Sequence, residues 1–117
     1  MKKLILAGLA LCCAGAAMAE GVVGHYVVNG TNLDGSPYKG EADITATSDV
    51  TCSIVWKTGG STSNGICMRD GNAFTAGYVL NGKVGLVIYL IQGDGSLRGT
   101  WTVDGVNAVG TENLTPG

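Results

Sequence analysis

The chain has 117 residues, with seven Lys and Arg against nine Asp and Glu and one histidine, for a formal net charge of −2. Residues 1–19 hold two of the seven basic residues and none of the nine acidic ones, so the 98 residues after them carry five against nine, a net −4. That length is one domain, and the scattered bases Lys39, Lys57, Arg69, Lys83 and Arg98 form no stripe for a nucleic-acid backbone, so the mild acidic excess reads as a solubility feature.

MKKLILAGLALCCAGAAMA, residues 1–19, has the pattern of a secretory signal peptide. Lys2 and Lys3 precede an apolar run, and Ala17-Met18-Ala19 supplies a small-x-small site. Cleavage after Ala19 is expected, leaving a single domain over 20–117. The run is shorter than the ~20 apolar residues of a spanning helix, so no transmembrane segment is expected after cleavage. Lipid attachment at Cys12 or Cys13 is disfavoured by the bulky Leu11 and by Cys12 in the preceding positions. The leader is of bacterial type and implies a periplasmic or secreted protein.

From there the chain is written in turns. Asp34-Gly35, residues 47–49, Gly59-Gly60, Asp70-Gly71, Asn81-Gly82, Asp94-Gly95 and Asp104-Gly105 are hairpin signals, because type I′ and related turns need positive φ at positions that Gly, Asn and Asp tolerate best. Seven turns predict eight strands. The strands alternate with period two. Tyr38, Gly40, Ala42, Ile44 and Ala46 oppose Lys39, Glu41, Asp43, Thr45 and Thr47; Val50, Cys52, Ile54 and Trp56 oppose Thr51, Ser53, Val55 and Lys57; Leu97, Gly99, Trp101 and Val103 oppose Arg98, Thr100 and Thr102. VGLVIYLI (84–91) is apolar on both faces, which predicts a covered outer face there, with a homodimer through Val87, Tyr89 and Ile91 as one way to cover it. Sequential hairpins with one buried face predict an all-β, eight-stranded antiparallel up-and-down barrel of calycin type, the alternative being a two-sheet sandwich. Small residues among large ones fit a tapering, filled lumen. Mostly polar outward positions argue against an outer-membrane barrel.

After cleavage two cysteines remain, Cys52 and Cys67, and in an oxidising compartment they are expected to form a disulfide. Pairing 52 with 67 opposes Trp56 to Ser63 and Lys57 to Thr62, leaves Thr58–Ser61 as a four-residue loop, and puts Ile66 and Met68 on the face opposite Cys67.

The chemistry-bearing residues are few. DGSPYKG (34–40) and DGSLRG (94–99) invite a calcium reading, but the first ligand position of an EF-type loop would fall on Gly30, and the second copy has no carboxylates where ligands are needed. His25 points outward. No nucleophile elbow or paired-carboxylate cleft is present, so neither catalytic residues, nor a metal site, nor a cofactor is expected. Asn29-Gly30-Thr31 and Asn113-Leu114-Thr115 match glycosylation sequons by chance in a chain of this type. Glu112 is the misplaced charge: in VNAVGTENL it shares the inward phase with Ala108, Gly110 and Leu114, and an inward carboxylate requires hydrogen-bond donors or a shifted pKa. Either it is a barrel-end acid satisfied by a Tyr, a Trp or the backbone, or with Tyr26, Tyr38, Trp56 and Trp101 it lines a polar-aromatic ligand site, or this short strand runs in the other phase and turns it outward.

DGSLRGTW resembles the Gly-x-Trp strands of the calycin group, especially avidin-like barrels, although Gly99-Thr100-Trp101 stands on the predicted seventh strand and not the first. No ligand-contacting residue is carried over on that likeness. GHYVVNGTNLDGSPYKGEADIT, CSIVWKTGG, GICMRDGNAF, DGSLRGTW and GTENLTP together resemble small secreted bacterial single-domain β-proteins of largely unknown function, some labelled fibronectin-binding. Secreted bacterial lysozyme inhibitors are a further analogue; Tyr38-Lys39-Gly40 is similar to theirs, but their Ser-Gly-x-x-Tyr signature is absent. The expectation is therefore a non-enzymatic binding module that engages a protein, glycan or small amphipathic ligand through its surface or barrel mouth. The alternatives are a small-ligand carrier with an open lumen and a lysozyme-inhibitor-like protein. A lumen cavity of roughly 300 Å³ or more would favour the carrier.

Overall fold

The computed structural model describes residues 21–117. The expected leader, its cleavage site after Ala19, and Cys12 and Cys13 lie outside the described residues. Eight strands run in chain order: β1 (Gly24–Thr31), β2 (Pro37–Ala46), β3 (Thr51–Thr58), β4 (Ser61–Asp70), β5 (Ala73–Leu80), β6 (Lys83–Ile91), β7 (Leu97–Val103) and β8 (Gly110–Pro116). Each pairs antiparallel with its neighbours, and β1 closes on β8 from Tyr26↔Pro116 to Thr31↔Thr111, giving a closed up-and-down barrel and ruling out the sandwich. Closure leaves no unpaired strand edge.

The expected turns are where the sheet reverses. Asn81 and Gly82 have φ of 51° and 78°, the signature of a two-residue type I′ hairpin. At Gly59-Gly60 the hairpin is tighter than expected: Thr58 pairs with Ser61, so the loop has two residues and not four. The two DGS copies fold alike. In each, the Asp side chain accepts from its own Ser backbone N–H (2.9 Å) and hydroxyl (2.6 Å), at Asp34–Ser36 and at Asp94–Ser96. These bonds hold both carboxyls below the usual range. The repeat is one turn used at opposite ends of the barrel.

Cys52 and Cys67 are linked by a disulfide, directly opposite on β3 and β4 with Cα atoms 4.9 Å apart. Their side chains point inward, so Ile66 and Met68 point out and are exposed. The phase of β6 differs from expectation. Val87, Tyr89 and Ile91 are not an outer patch: Val87 and Tyr89 are buried in the lumen, and Ile91 packs against the same core. The hairpin registers impose this, because β6 pairs Val87 with Trp101 and Tyr89 with Gly99, both on the inward face of β7. The outward residues are Val84, Leu86, Ile88 and Leu90, all at least half exposed. A homodimer through Val87, Tyr89 and Ile91 is therefore excluded. Ala46, expected inside, is the last residue of β2, at the β2–β3 turn, and is exposed.

The lumen is packed at one end and open at the other. The floor lies beneath the β2–β3, β4–β5 and β6–β7 turns. There Val22 folds fully buried across the barrel and its carbonyl accepts the Tyr26 hydroxyl at 2.8 Å. Ile54, Phe74, Leu97 and Leu114 fill the space above it, and Phe74 stacks on Tyr89 with centroids 5.6 Å apart. Each such side chain contributes about 1.5–3 kcal/mol on burial.

Candidate functional site in the barrel mouth

The other end carries the β1–β2 loop and the β3–β4 and β5–β6 hairpins, and between them opens a cavity of about 440 Å³. Its rim is uncharged and polar, with Asn32, Thr58, Ser61 and Asn81. Its wall is aromatic, formed by Tyr38, Trp56, Tyr78 and Trp101, and its base is Glu112. The lumen is thus not filled throughout as its small residues had implied.

Glycines set the wall. Gly30 pairs with Tyr38, Gly85 with Tyr78, Gly99 with Tyr89, and Gly110 with Trp101 across neighbouring strands. A Cβ built on Gly30, Gly99 or Gly110 would meet the partner ring at 2.5–2.6 Å, and one on Gly85 would collide with Tyr78 closer still. Gly65 does the same for Trp56, a diagonal neighbour, at 2.9 Å. Each ring therefore lies over a glycine of a neighbouring strand, and Trp56 alone of them also reaches across the lumen, its indole N–H meeting Glu112 on β8 and Tyr89 on β6. Edge-to-face contacts order the rings further: Tyr38 with Trp101 (6.3 Å, 76°) and Trp56 with Tyr78 (5.1 Å, 63°).

Glu112 is 7% exposed, yet three side chains satisfy it. The Tyr38 hydroxyl donates to Oε1 at 2.7 Å, the Trp56 indole N–H donates to Oε2 at 2.8 Å, and the Tyr89 hydroxyl also donates to Oε2. Trp56 Nε1 lies 3.2 Å from the Tyr89 oxygen as well, which closes the network. Burial pushes the Glu112 carboxyl above its ordinary value, and the three donors offset only part of that. Burial and the nearby carboxylate push the Tyr78 hydroxyl up to about 12 and hold those of Tyr38 and Tyr89 above the ordinary phenol value. Tyr38 and Tyr89 are consequently fixed as donors to that acceptor, with Tyr78 a protonated neighbour.

Of the residues singled out from the sequence, Tyr38, Trp56, Trp101 and Glu112 meet at the mouth. Tyr26 belongs to the floor, bonded to Val22. Two members went unrecognised. Tyr78 carried a signal in its inward phase opposite Gly85, and Tyr89 was hidden in a strand apolar on both faces. His25 is outside, between Glu41 (3.2 Å) and Asp43 (2.8 Å).

No family model matches the chain, and no curated protein matches it. Solved structures do. A redesigned β-barrel, mFAP1, bound to DFHBI is similar with a TM-score of 0.69 at 16% identity, over 84% of this chain and 97% of that one. The wild-type fluorescent protein UnaG is similar with a TM-score of 0.57 at 12% identity, over 86% and 100%. The Schistosoma mansoni fatty acid binding protein in complex with arachidonic acid is similar with a TM-score of 0.55 at 11% identity, over 85% and 98%. The barrel is calycin-like. At these identities the likeness is one of fold.

Proposed function

We propose that the protein binds a small amphipathic molecule in its barrel mouth, as a non-enzymatic carrier or receptor. The observation that carries this reading is the cavity of about 440 Å³, open at one end, with aromatic walls and a single buried acid at its base. An apolar concavity with a few convergent polar groups is the usual form of a small-ligand site. The similar barrels mFAP1, bound to DFHBI, and the Schistosoma protein, in complex with arachidonic acid, support a small-molecule ligand over a macromolecular partner. The leader pattern of residues 1–19 and the disulfide support a periplasmic or extracellular place of work.

Titration with the neutral fluorophore Nile red tests this. One saturable site per barrel is expected, with blue-shifted emission and quenching of Trp56 and Trp101. Ser63→Trp, which fills the mouth from β4, should abolish it while leaving the thermal transition in place. A folded protein that takes up no dye, or a Ser63→Trp protein that binds it unchanged, would overturn the proposal.

A further inference from the structure

Resting on that reading, we infer that the ligand is a cation: an ammonium group, quaternary or tertiary, attached to an apolar body. The cavity has one ionisable acid, Glu112, and no Lys, Arg or His lines it among the described residues. Four electron-rich rings, Tyr38, Trp56, Tyr78 and Trp101, surround the approach to that acid. A positive charge among aromatic faces is held by the ring quadrupoles, more strongly where water is excluded.

An anionic ligand meets the reverse. Its charge would sit beside a buried carboxylate with no counter-ion in the cavity, an arrangement that low-dielectric surroundings make costly. Of the two inward-phase bases among the described residues, Arg69 is at the opposite end, where its Nε–H donates to the Gly71 carbonyl at 2.9 Å. The other, Lys83, at the mouth end of β6, is exposed, does not line the cavity, and carries its ammonium beside Gly105 of the β7–β8 turn. A fatty acid is therefore a poor occupant of this lumen despite the likeness of fold.

Glu112 also has capacity left. A carboxylate offers about four acceptor sites, and Tyr38, Trp56 and Tyr89 use three of them, two on Oε2 and one on Oε1. The remaining position on Oε1 is on the side shared with Tyr38, itself part of the cavity wall. The three donors keep the carboxylate in place before any ligand arrives, and the glycine-backed rings keep the cage open, so little ordering is required on binding.

Three probes of equal chain length, used below their micelle-forming concentrations, separate the alternatives by calorimetric titration: decyltrimethylammonium, 1-decanol and decanoate. The ammonium should bind at least about tenfold more tightly than the alcohol, and decanoate most weakly. Glu112→Gln should bring ammonium and alcohol to similar affinity. Tyr78→Leu, which removes one ring and no hydrogen bond of Glu112, should weaken the ammonium more than the alcohol and guards against a Glu112 variant that fails to fold.

Ammonium affinity should also rise with pH as Glu112 ionises, while alcohol affinity stays flat. The titratable groups facing Glu112 are Tyr38 on β2, Tyr78 on β5 and Tyr89 on β6, all held above the ordinary phenol value, so they keep their protons through that range. Equal affinities, a preference for decanoate, or Nile red uptake with no binding of any decyl probe would overturn the cation assignment and leave the lumen site standing. Failure of Nile red and of all three probes would overturn the lumen site itself.

Discussion

Gly85 and Tyr78 face each other across the β5–β6 ladder, and the Tyr78 ring occupies the space a side chain at position 85 would need. Two effects of Gly85→Ala therefore oppose. Alanine in a strand interior gains roughly 0.5–1 kcal/mol over glycine, while forcing extra volume into a filled space costs about 1–3 kcal/mol. Overpacking should win here, and Gly85→Ala should lower the urea midpoint followed by tryptophan fluorescence. Gly77, one strand position away, faces outward with its nearest neighbours at 3.9 Å, so Gly77→Ala should raise the midpoint. Equal shifts in the two variants would refute the ring-over-glycine account.

Glu112 makes stability fall as pH rises. Its carboxyl is pushed above the ordinary value of 4.5 in the folded state. Between that value and the raised one, the folded protein binds more protons than the unfolded chain, so unfolding free energy declines with increasing pH. The stabilisation is complete below the unfolded pKa and is lost as pH climbs through the folded one. Glu112→Gln should remove this component of the slope at small cost, since the Tyr38 hydroxyl can turn to the Thr111 carbonyl at 3.3 Å. Glu112→Leu should cost about 1–3 kcal/mol by leaving the Tyr89 hydroxyl without its carboxylate acceptor. A pH profile of wild type and Glu112→Gln that superimposes would dismiss the argument.

The strand count, the turns, the disulfide register and the inward phase of Glu112 were all legible in the sequence, because each follows from a local rule. Asn81-Gly82 can hardly do anything but reverse the chain, and period-two alternation states which side of a strand is wet. What stayed hidden was relational. β6 is apolar on both faces, so alternation has no contrast there, and only its pairing with β7 settles that Tyr89 faces in. The open mouth depends on rings lying over glycines of adjacent strands, a property of register and not of any one segment. Tyr26 shows the converse limit: it has the inward phase of the site residues, but the other end of the barrel claims it.

The disulfide closes a separation of 15 residues, for which chain entropy gives about 3 kcal/mol. Cys52→Ala with Cys67→Ala should lose about that much and lower the melting temperature by roughly 12–24 °C, at about 4–8 °C per kcal/mol for a domain of this size. Both cysteines are buried, at 3% and 5% exposure. Dithiothreitol should therefore reduce them in step with unfolding, and rapid reduction of the native protein, read by thiol alkylation, would show the lumen wall opening locally.

Neighbouring positions on β6 provide the test of its phase. Val87 is 4% exposed inside the barrel and Ile88 is 50% exposed outside it. Threonine retains β-branching at both sites, so strand propensity changes little and burial decides the outcome. Val87→Thr brings a hydroxyl among apolar side chains and should cost about 1–3 kcal/mol. Ile88→Thr extends an outer row that already holds Thr75 and Thr100, its cross-strand partners, and should stay within about 0.5 kcal/mol of wild type. Equilibrium unfolding at two protein concentrations reads both quantities. A loss at Ile88→Thr that grows with protein concentration would mean that Leu86, Ile88 and Leu90 are covered by a second copy in solution; a loss at Ile88 equal to that at Val87, without concentration dependence, would reverse the assigned phase.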